Sequence, residues 1–170
     1  LRERFAKFGL ELHPTKTRLI EFGRYAASDR EKRGEGRPET FDFLGFTHIC
    51  GKTKKGRFTV NRQTIRKRLQ AKINAVKTEL VARLHDPIPE VGRWLGAVVR
   101  GHVQYYGVPG NSRAIGLFRF RVCRLWQRAL SRRSQNGGVT WYRMTRLLRQ
   151  WLPPALICHL YPLERFGVMT

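Results

Sequence analysis

Apolar residues along this chain follow two periods. After a short helical start, in which Leu1, Phe5 and Phe8 share a face and Gly9 fits the helix end, they are grouped as in strands. Residues 10–13 and 17–22 predict two short strands around a His13–Pro14 turn, because Pro14 cannot donate to a ladder. Residues 23–39 are polar, glycine-rich and of mixed charge, and predict an exposed loop. Phe41 to Cys50 is an apolar, aromatic run that predicts a strand. Lys52-Thr53-Lys54-Lys55-Gly56 then turns the chain into a second strand, Arg57 to Val60, giving a hairpin with a basic tip.

From Asn61 the period lengthens to about 3.6. Asn61 is the expected N-cap of a helix whose stripe is Ile65, Leu69, Ile73, Val76 and Leu80. Asp86-Pro87-Ile88-Pro89 ends that helix and starts a second, with Val91, Leu95, Val98, His102 and Tyr105 as its stripe. Gly107 to Asn111 is a turn. A third stripe follows, Ile115, Phe118, Val122, Leu125 and Ala129, until Asn136-Gly137-Gly138 breaks it. A short fourth helix is expected after Thr140, with Trp141, Met144, Leu148 and Trp151 inward and Pro153-Pro154 as its stop. The fold class is therefore α+β: small antiparallel β-hairpins over 1–60, then a basic three- to four-helix bundle over 61–170. The tail to Thr170 has no clear period, and no internal repeat is visible.

Charge sharpens this division. Residues 1–50 hold 10 basic and 8 acidic side chains, whereas residues 51–150 hold 23 basic and 3 acidic. At 41% hydrophobic residues the chain can build a packed core, so it is not a disordered basic tail. A folded segment so positive repels itself unless a polyanion neutralises it, and nucleic acid rewards clustered Lys and Arg through counterion release. Solubility alone needs a net charge of only about 2–8. Arg113, Arg119, Arg132 and Arg133 suit phosphate forks. Tyr105, Tyr106, Trp126 and Trp141 have the shape for base stacking, with core packing the competing reading for the two tryptophans.

Other chemistries are poorly served. Cys50, Cys123 and Cys158 are far apart and form no C-x-x-C pair, which argues against a zinc or disulfide framework and fits a reducing compartment. The five histidines, at 13, 48, 85, 102 and 159, include no i,i+4 pair. His102, on an apolar stripe, reads as a hydrogen-bonded core residue. Asp29, Asp42 and Asp86 share no local element, so no metal-holding pair of carboxylates is expected. No apolar run approaches the roughly 18 residues of a membrane span, and no signal peptide is visible. Because the chain starts at Leu1 within an expected helix, a fragment, or a reading frame without its start, is expected.

Three groups of residues carry a family resemblance. The first is Gly9-Leu10-Glu11-Leu12-His13-Pro14-Thr15-Lys16-Thr17, and the second is Phe41-Asp42-Phe43-Leu44-Gly45-Phe46. In order and spacing they resemble the last two blocks of a reverse transcriptase palm. The third lies in the helices: Gly101-His102-Val103-Gln104-Tyr105-Tyr106-Gly107, Arg132-Arg133-Ser134-Gln135 and Ile157-Cys158-His159-Leu160-Tyr161-Pro162. These are similar to the maturase region of group II intron reverse transcriptases, which doubles as the polymerase thumb. The resemblance covers nearly the whole chain.

The resemblance implies an end-of-palm remnant over 1–60 and a thumb/maturase domain over 61–170. Its implied partners are group II intron RNA and the RNA/DNA template–primer, in a bacterial cytoplasm. Lys16 matches a family lysine near the incoming nucleotide, which implies an accessory role; read alone it is equally a solvated turn lysine. Leu44 and Gly45 match the hairpin that grips the primer end. RNA contacts are expected at Lys52, Lys54, Lys55 and Arg57 on the hairpin, at Arg62, Arg66, Lys67, Arg68 and Lys72 on the first long helix, and at Arg113, Arg119, Arg132 and Arg133. The family's catalytic aspartates would lie upstream of Leu1, so this chain is expected to bind RNA without polymerising, to hold no cofactor, and to leave the Mg²⁺ requirement to an intact parent. A stand-alone splicing factor, or a piece of a retron- or CRISPR-linked reverse transcriptase, are the alternatives.

Overall fold

The computed structural model describes residues 2–14, 17–53, 55–133 and 138–161. It is α+β. A three-stranded antiparallel sheet in the order β1-β2-β3 is formed by Phe41–Phe43 (β1), Phe46–Lys52 (β2) and Phe58–Thr64 (β3). Two short helices precede it, α1 (Arg2–Ala6) and α2 (Ala26–Lys32), and four longer ones follow: α3 (Arg66–Ala82), α4 (Ile88–Tyr106), α5 (Ser112–Arg133) and α6 (Trp141–Trp151).

Several sequence expectations are corrected. Residues 10–13 and 17–22 pair with no strand; the second stretch is held by side chains instead. The Glu21 amide donates to the Glu39 carboxylate at 3.0 Å, and the Phe22 ring meets Phe41 edge-on at 4.9 Å. Within the expected 23–39 loop, α2 forms, and Asp29 sits on it rather than in a loop. Only Ala26 of that helix is buried; Arg30 and Arg33 organise the segment through Glu21 and Glu35. The Phe41–Cys50 run is two strands, not one. Phe43 pairs with Phe46, and the two residues between them, Leu44 and Gly45, have φ of +46° and +83°. Positive φ at both positions is the signature of the type I′ hairpin turn. Composition hides it, since leucine carries a Cβ penalty there that Gly escapes and Asn offsets through local hydrogen bonding.

The fourth correction concerns the start of α3. Asn61 is not its cap: it lies in β3 opposite Ile49, because β3 pairs with β2 all the way to Thr64 opposite Phe46. The ladder claims 61–64, and the helix begins after Ile65, whose amide donates to the Gly45 carbonyl at 3.1 Å. The expected division after residue 60 therefore falls inside β3. The fifth concerns α6, where Trp141 is half-exposed while Met144 is fully buried. Thr140 caps this helix, its hydroxyl accepting from the Arg143 amide at 3.5 Å.

The helices close on one core. Leu69, Ile73, Val76 and Leu80 of α3 meet Val91, Leu95 and Val99 of α4 and Phe118, Val122 and Trp126 of α5, with Met144 and Leu152 completing it. Burying each such side chain contributes about 1.5–3 kcal/mol. On α4 the stripe centres on Val99 rather than Val98, which is only partly buried, and Tyr105 lies outside the core at 52% exposure. Gly92 and Gly96 let α6 approach: a Cβ on either would fall 2.5–2.6 Å from the ring or carbonyl of Trp151. After α6 the chain returns across the end of α4, where the Cys158 amide donates to the Gly107 carbonyl at 2.8 Å. Among the described residues, no helix is long and apolar enough to cross a membrane.

Candidate nucleic-acid interface

The Leu44–Gly45 turn is seated on the end of α4. Tyr105 donates its hydroxyl proton to the Leu44 carbonyl at 2.8 Å, and the Phe46 ring stacks on Tyr105 and meets Tyr106 edge-on, with centroids 5.9 and 5.1 Å apart. A Cβ on Gly45 would come within 2.9 Å of the Tyr106 hydroxyl, so this glycine is required both for its φ and for the closeness of the ring. The Leu44 side chain meanwhile points away from the core at 64% exposure. Two motifs some 60 residues apart in the sequence, Phe41–Phe46 and Gly101–Gly107, thus form one surface.

Asn111 fixes that junction. It is 1% exposed and its side-chain polar atoms are directed at the two elements it joins. Its Oδ1 accepts from the Thr64 amide at 3.0 Å, while its Nδ2 donates to the Thr64 hydroxyl and the Tyr106 carbonyl, each at 2.8 Å. Sequence pattern places Asn111 only in a turn and does not assign it this role. Behind it, His102 stacks on Phe118 with centroids 3.7 Å apart, and tilts against Tyr106 at 4.6 Å. The expectation of a hydrogen-bonded core histidine is half right: the ring is buried, but Nε2 has no partner. Burial, helped by the positive charge of Lys72, pushes its pKa down from 6.5 to about 4, so it is neutral at physiological pH. Burial and the adjacent Tyr105 push the Tyr106 phenol up, opposed by Arg68.

The basic residues divide into paired and unpaired sets. Among the described residues, ion pairs gather at 18–39, through Arg18, Arg30, Lys32 and Arg33, and around Arg83. Arg33 is held so firmly by Glu35 and Glu21 that its pKa rises, and the Glu35 carboxyl is correspondingly lowered. None of the described site residues expected from sequence joins such a pair. Lys52, Lys55 and Arg57 are exposed at the hairpin tip; Arg66, Lys67, Arg68 and Lys72 flank the apolar stripe of α3 and are exposed, and Arg62 is half-buried just before it. Arg113 and Arg132 are exposed on α5. Two others hold the fold together: Arg119 donates from Nε to the Pro153 carbonyl at 2.8 Å, and Arg133 donates to the Asp86 carbonyl. Lys16 and Lys54 lie outside the described residues, as do Ser134 and Gln135.

The start of α3 adjoins the junction, since the Ile65 amide just before Arg66 donates to the Gly45 carbonyl at 3.1 Å, and Arg68 and Lys72 act electrostatically on Tyr106 and His102. Of the aromatic candidates, Trp126 is fully buried and belongs to the core, whereas Tyr105 and Trp141 are accessible. Arg124 lies over the Trp141 ring, 5.4 Å from its centroid, a pairing that periodicity does not single out. The acidic residues stay apart: Asp29 faces Lys32, Asp42 accepts from the Thr47 hydroxyl at 2.6 Å, and Asp86 faces Arg83. No cluster of three or more metal-ligating side chains occurs among the described residues. No family model, no curated protein and no solved structure matches this chain.

Proposed function

We propose that this chain binds structured RNA, as the end-of-palm and thumb/maturase portion of a group II intron reverse transcriptase. One observation carries the reading. The strained, solvent-facing Leu44–Gly45 turn is backed by Tyr105 and Tyr106 and adjoins the start of α3, where Arg66, Lys67 and Arg68 stand without an acidic partner among the described residues. A leucine held at positive φ at an exposed tip costs stability, of the order of 1–2 kcal/mol, and gains no burial in return. Strain of that kind persists only where the surrounding structure holds it, and it clusters at binding and catalytic sites. In the family this chain resembles, the same turn grips the primer end, and the helical domain behind it lies along the template–primer and binds intron RNA.

On this reading, phosphates are met by Lys52, Lys55 and Arg57 at the hairpin tip and by Arg66, Lys67, Arg68 and Lys72 on α3. Tyr105 serves as a stacking platform beside them. The parent enzyme's Mg²⁺ chemistry would draw on carboxylates outside this chain, and the role left here is to position the nucleic acid. The test is competition: a labelled, folded intron RNA domain bound to the purified chain and challenged with duplex DNA of equal length. Retention of the RNA against a large excess of duplex is the expected result. Equal displacement by either would assign the charge to generic polyanion binding.

A further inference from the structure

A second binding feature shares no residue with the Leu44–Gly45 junction. A cleft of about 460 Å³ opens between α5 and α6, lined by Gly116, Arg119, Phe120, Cys123, Trp141 and Pro154, among others. Its size falls in the roughly 300–1,000 Å³ range of sites that hold a small organic group. Its two large aromatic side chains are accessible, Phe120 at 54% and Trp141 at 42%, and no ring contact joins them to each other. Both side chains border the same cleft.

The surroundings are cationic and fixed. Arg119 is anchored by its Nε on the Pro153 carbonyl, and Arg124 is held over Trp141 while also donating to Gln127 at 3.3 Å. Gln127 in turn donates to the Val139 carbonyl at 2.9 Å, bracing the segment that leads into α6. Neither arginine has an acidic partner among the described residues. Cys123 at the floor is buried and its thiol pushed up, so it stays protonated and apolar rather than acting as a nucleophile.

We infer that this cleft receives a single unstacked base of the bound RNA, held between Trp141 and Phe120, with its flanking phosphates on Arg119 and Arg124. Flat aromatic walls with cations at the rim are what an extruded base requires: stacking on the π-face is tolerant of sequence, and sequence-specific recognition of RNA works on bases splayed out of the helix. Charge complementarity points to a nucleic-acid strand and not to an apolar peptide. The inference rests on the RNA-binding reading above, but it concerns a different set of residues.

The test uses two RNA hairpins identical except for one bulged nucleotide in the stem, with binding measured for the whole chain and for Trp141→Ala, Phe120→Ala and Trp141→Phe. Wild type should favour the bulged hairpin by about 5- to 150-fold, the equivalent of one base–aromatic stack. Both alanine variants should lose that preference while keeping affinity for the unbulged stem, and Trp141→Phe should retain most of it. A 4-thiouridine placed at the bulge should crosslink to residues 116–123 or 141–155, a readout on wild type that holds even if an alanine variant unfolds. Equal wild-type affinity for both hairpins, a preference unchanged in both alanine variants, or crosslinks elsewhere would overturn the base-binding cleft while leaving RNA binding intact. Absence of binding to either hairpin would remove the RNA-binding reading itself, and the cleft's role with it. Uridine monophosphate alone, titrated by calorimetry, separates a free nucleotide from a base within a strand: saturation by monomer with no bulge preference also overturns the inference.

Discussion

At the scale of single residues, Asn111 and His102 govern the junction between sheet and bundle. Replacing Asn111 with alanine leaves the Thr64 amide without this partner, at about 1–3 kcal/mol, while the Tyr106 carbonyl keeps the Val108 amide. Asn111→Ala should therefore lower the urea midpoint by more than any exposed substitution on α5, and loosening should show first as hydrogen exchange at Thr64. His102 sets a pH dependence. Its folded pKa is about 4 against 6.5 when free, so the unfolded chain binds more protons between these values. The stability it permits is fully present above about 6.5 and is lost progressively as pH falls toward 4. Thermal melts of wild type and His102→Phe should diverge only in that window, with the wild type losing more. Parallel curves would mean that the histidine is solvated. Sequence pattern locates both residues but neither role, since position on a stripe or in a turn does not disclose which partners a polar atom finds.

At the scale of elements, long helices are legible in the sequence and short ones are not. The stripes of α3, α4 and α5 span several turns, so one misplaced position such as Val98 for Val99 does not blur the period. Residues 23–39 hold too few apolar side chains for any period, and α2 is organised by Arg30 and Arg33, whose ion pairs a linear reading cannot assign. The I′ turn is hidden by its leucine. Close helix approach is equally invisible, and it makes a matched prediction on one helix. Gly96 faces the Trp151 carbonyl, where a Cβ would lie 2.5 Å away, whereas Gly101 faces open space. Gly101→Ala should stabilise by up to about 1 kcal/mol through helix propensity. Gly96→Ala should destabilise by roughly 1–3 kcal/mol, because backbone cannot swing aside. Chemical denaturation of the two variants decides it; gains in both would mean that α6 does not seat on α4 as described.

For the molecule as a whole, the net charge of +22 matters less than its distribution. Arg30, Lys32 and Arg33 are each neutralised by Glu21, Glu35 or Asp29, whereas Arg66, Lys67 and Lys72 stand exposed on α3 with no acidic partner among the described residues. The charge asymmetry between the two halves makes this readable in outline; the pairing that makes it effective emerges only with the fold. The central claim is that the unpaired α3 charges bind RNA. The most direct measurement is filter binding of a structured RNA across about 50–200 mM salt, where engaging roughly 6–10 phosphates would lower wild-type affinity about 10³- to 10⁵-fold. Two triple-glutamine variants, each removing three positive charges, are compared with it. Neutralising Arg66, Lys67 and Lys72 should weaken binding and flatten the log–log salt slope by about one for each phosphate no longer neutralised, with the fold kept. Neutralising Arg30, Lys32 and Arg33 should change the slope little. Equal losses from the two variants would contradict the account, because binding would then follow total charge and not the α3 residues.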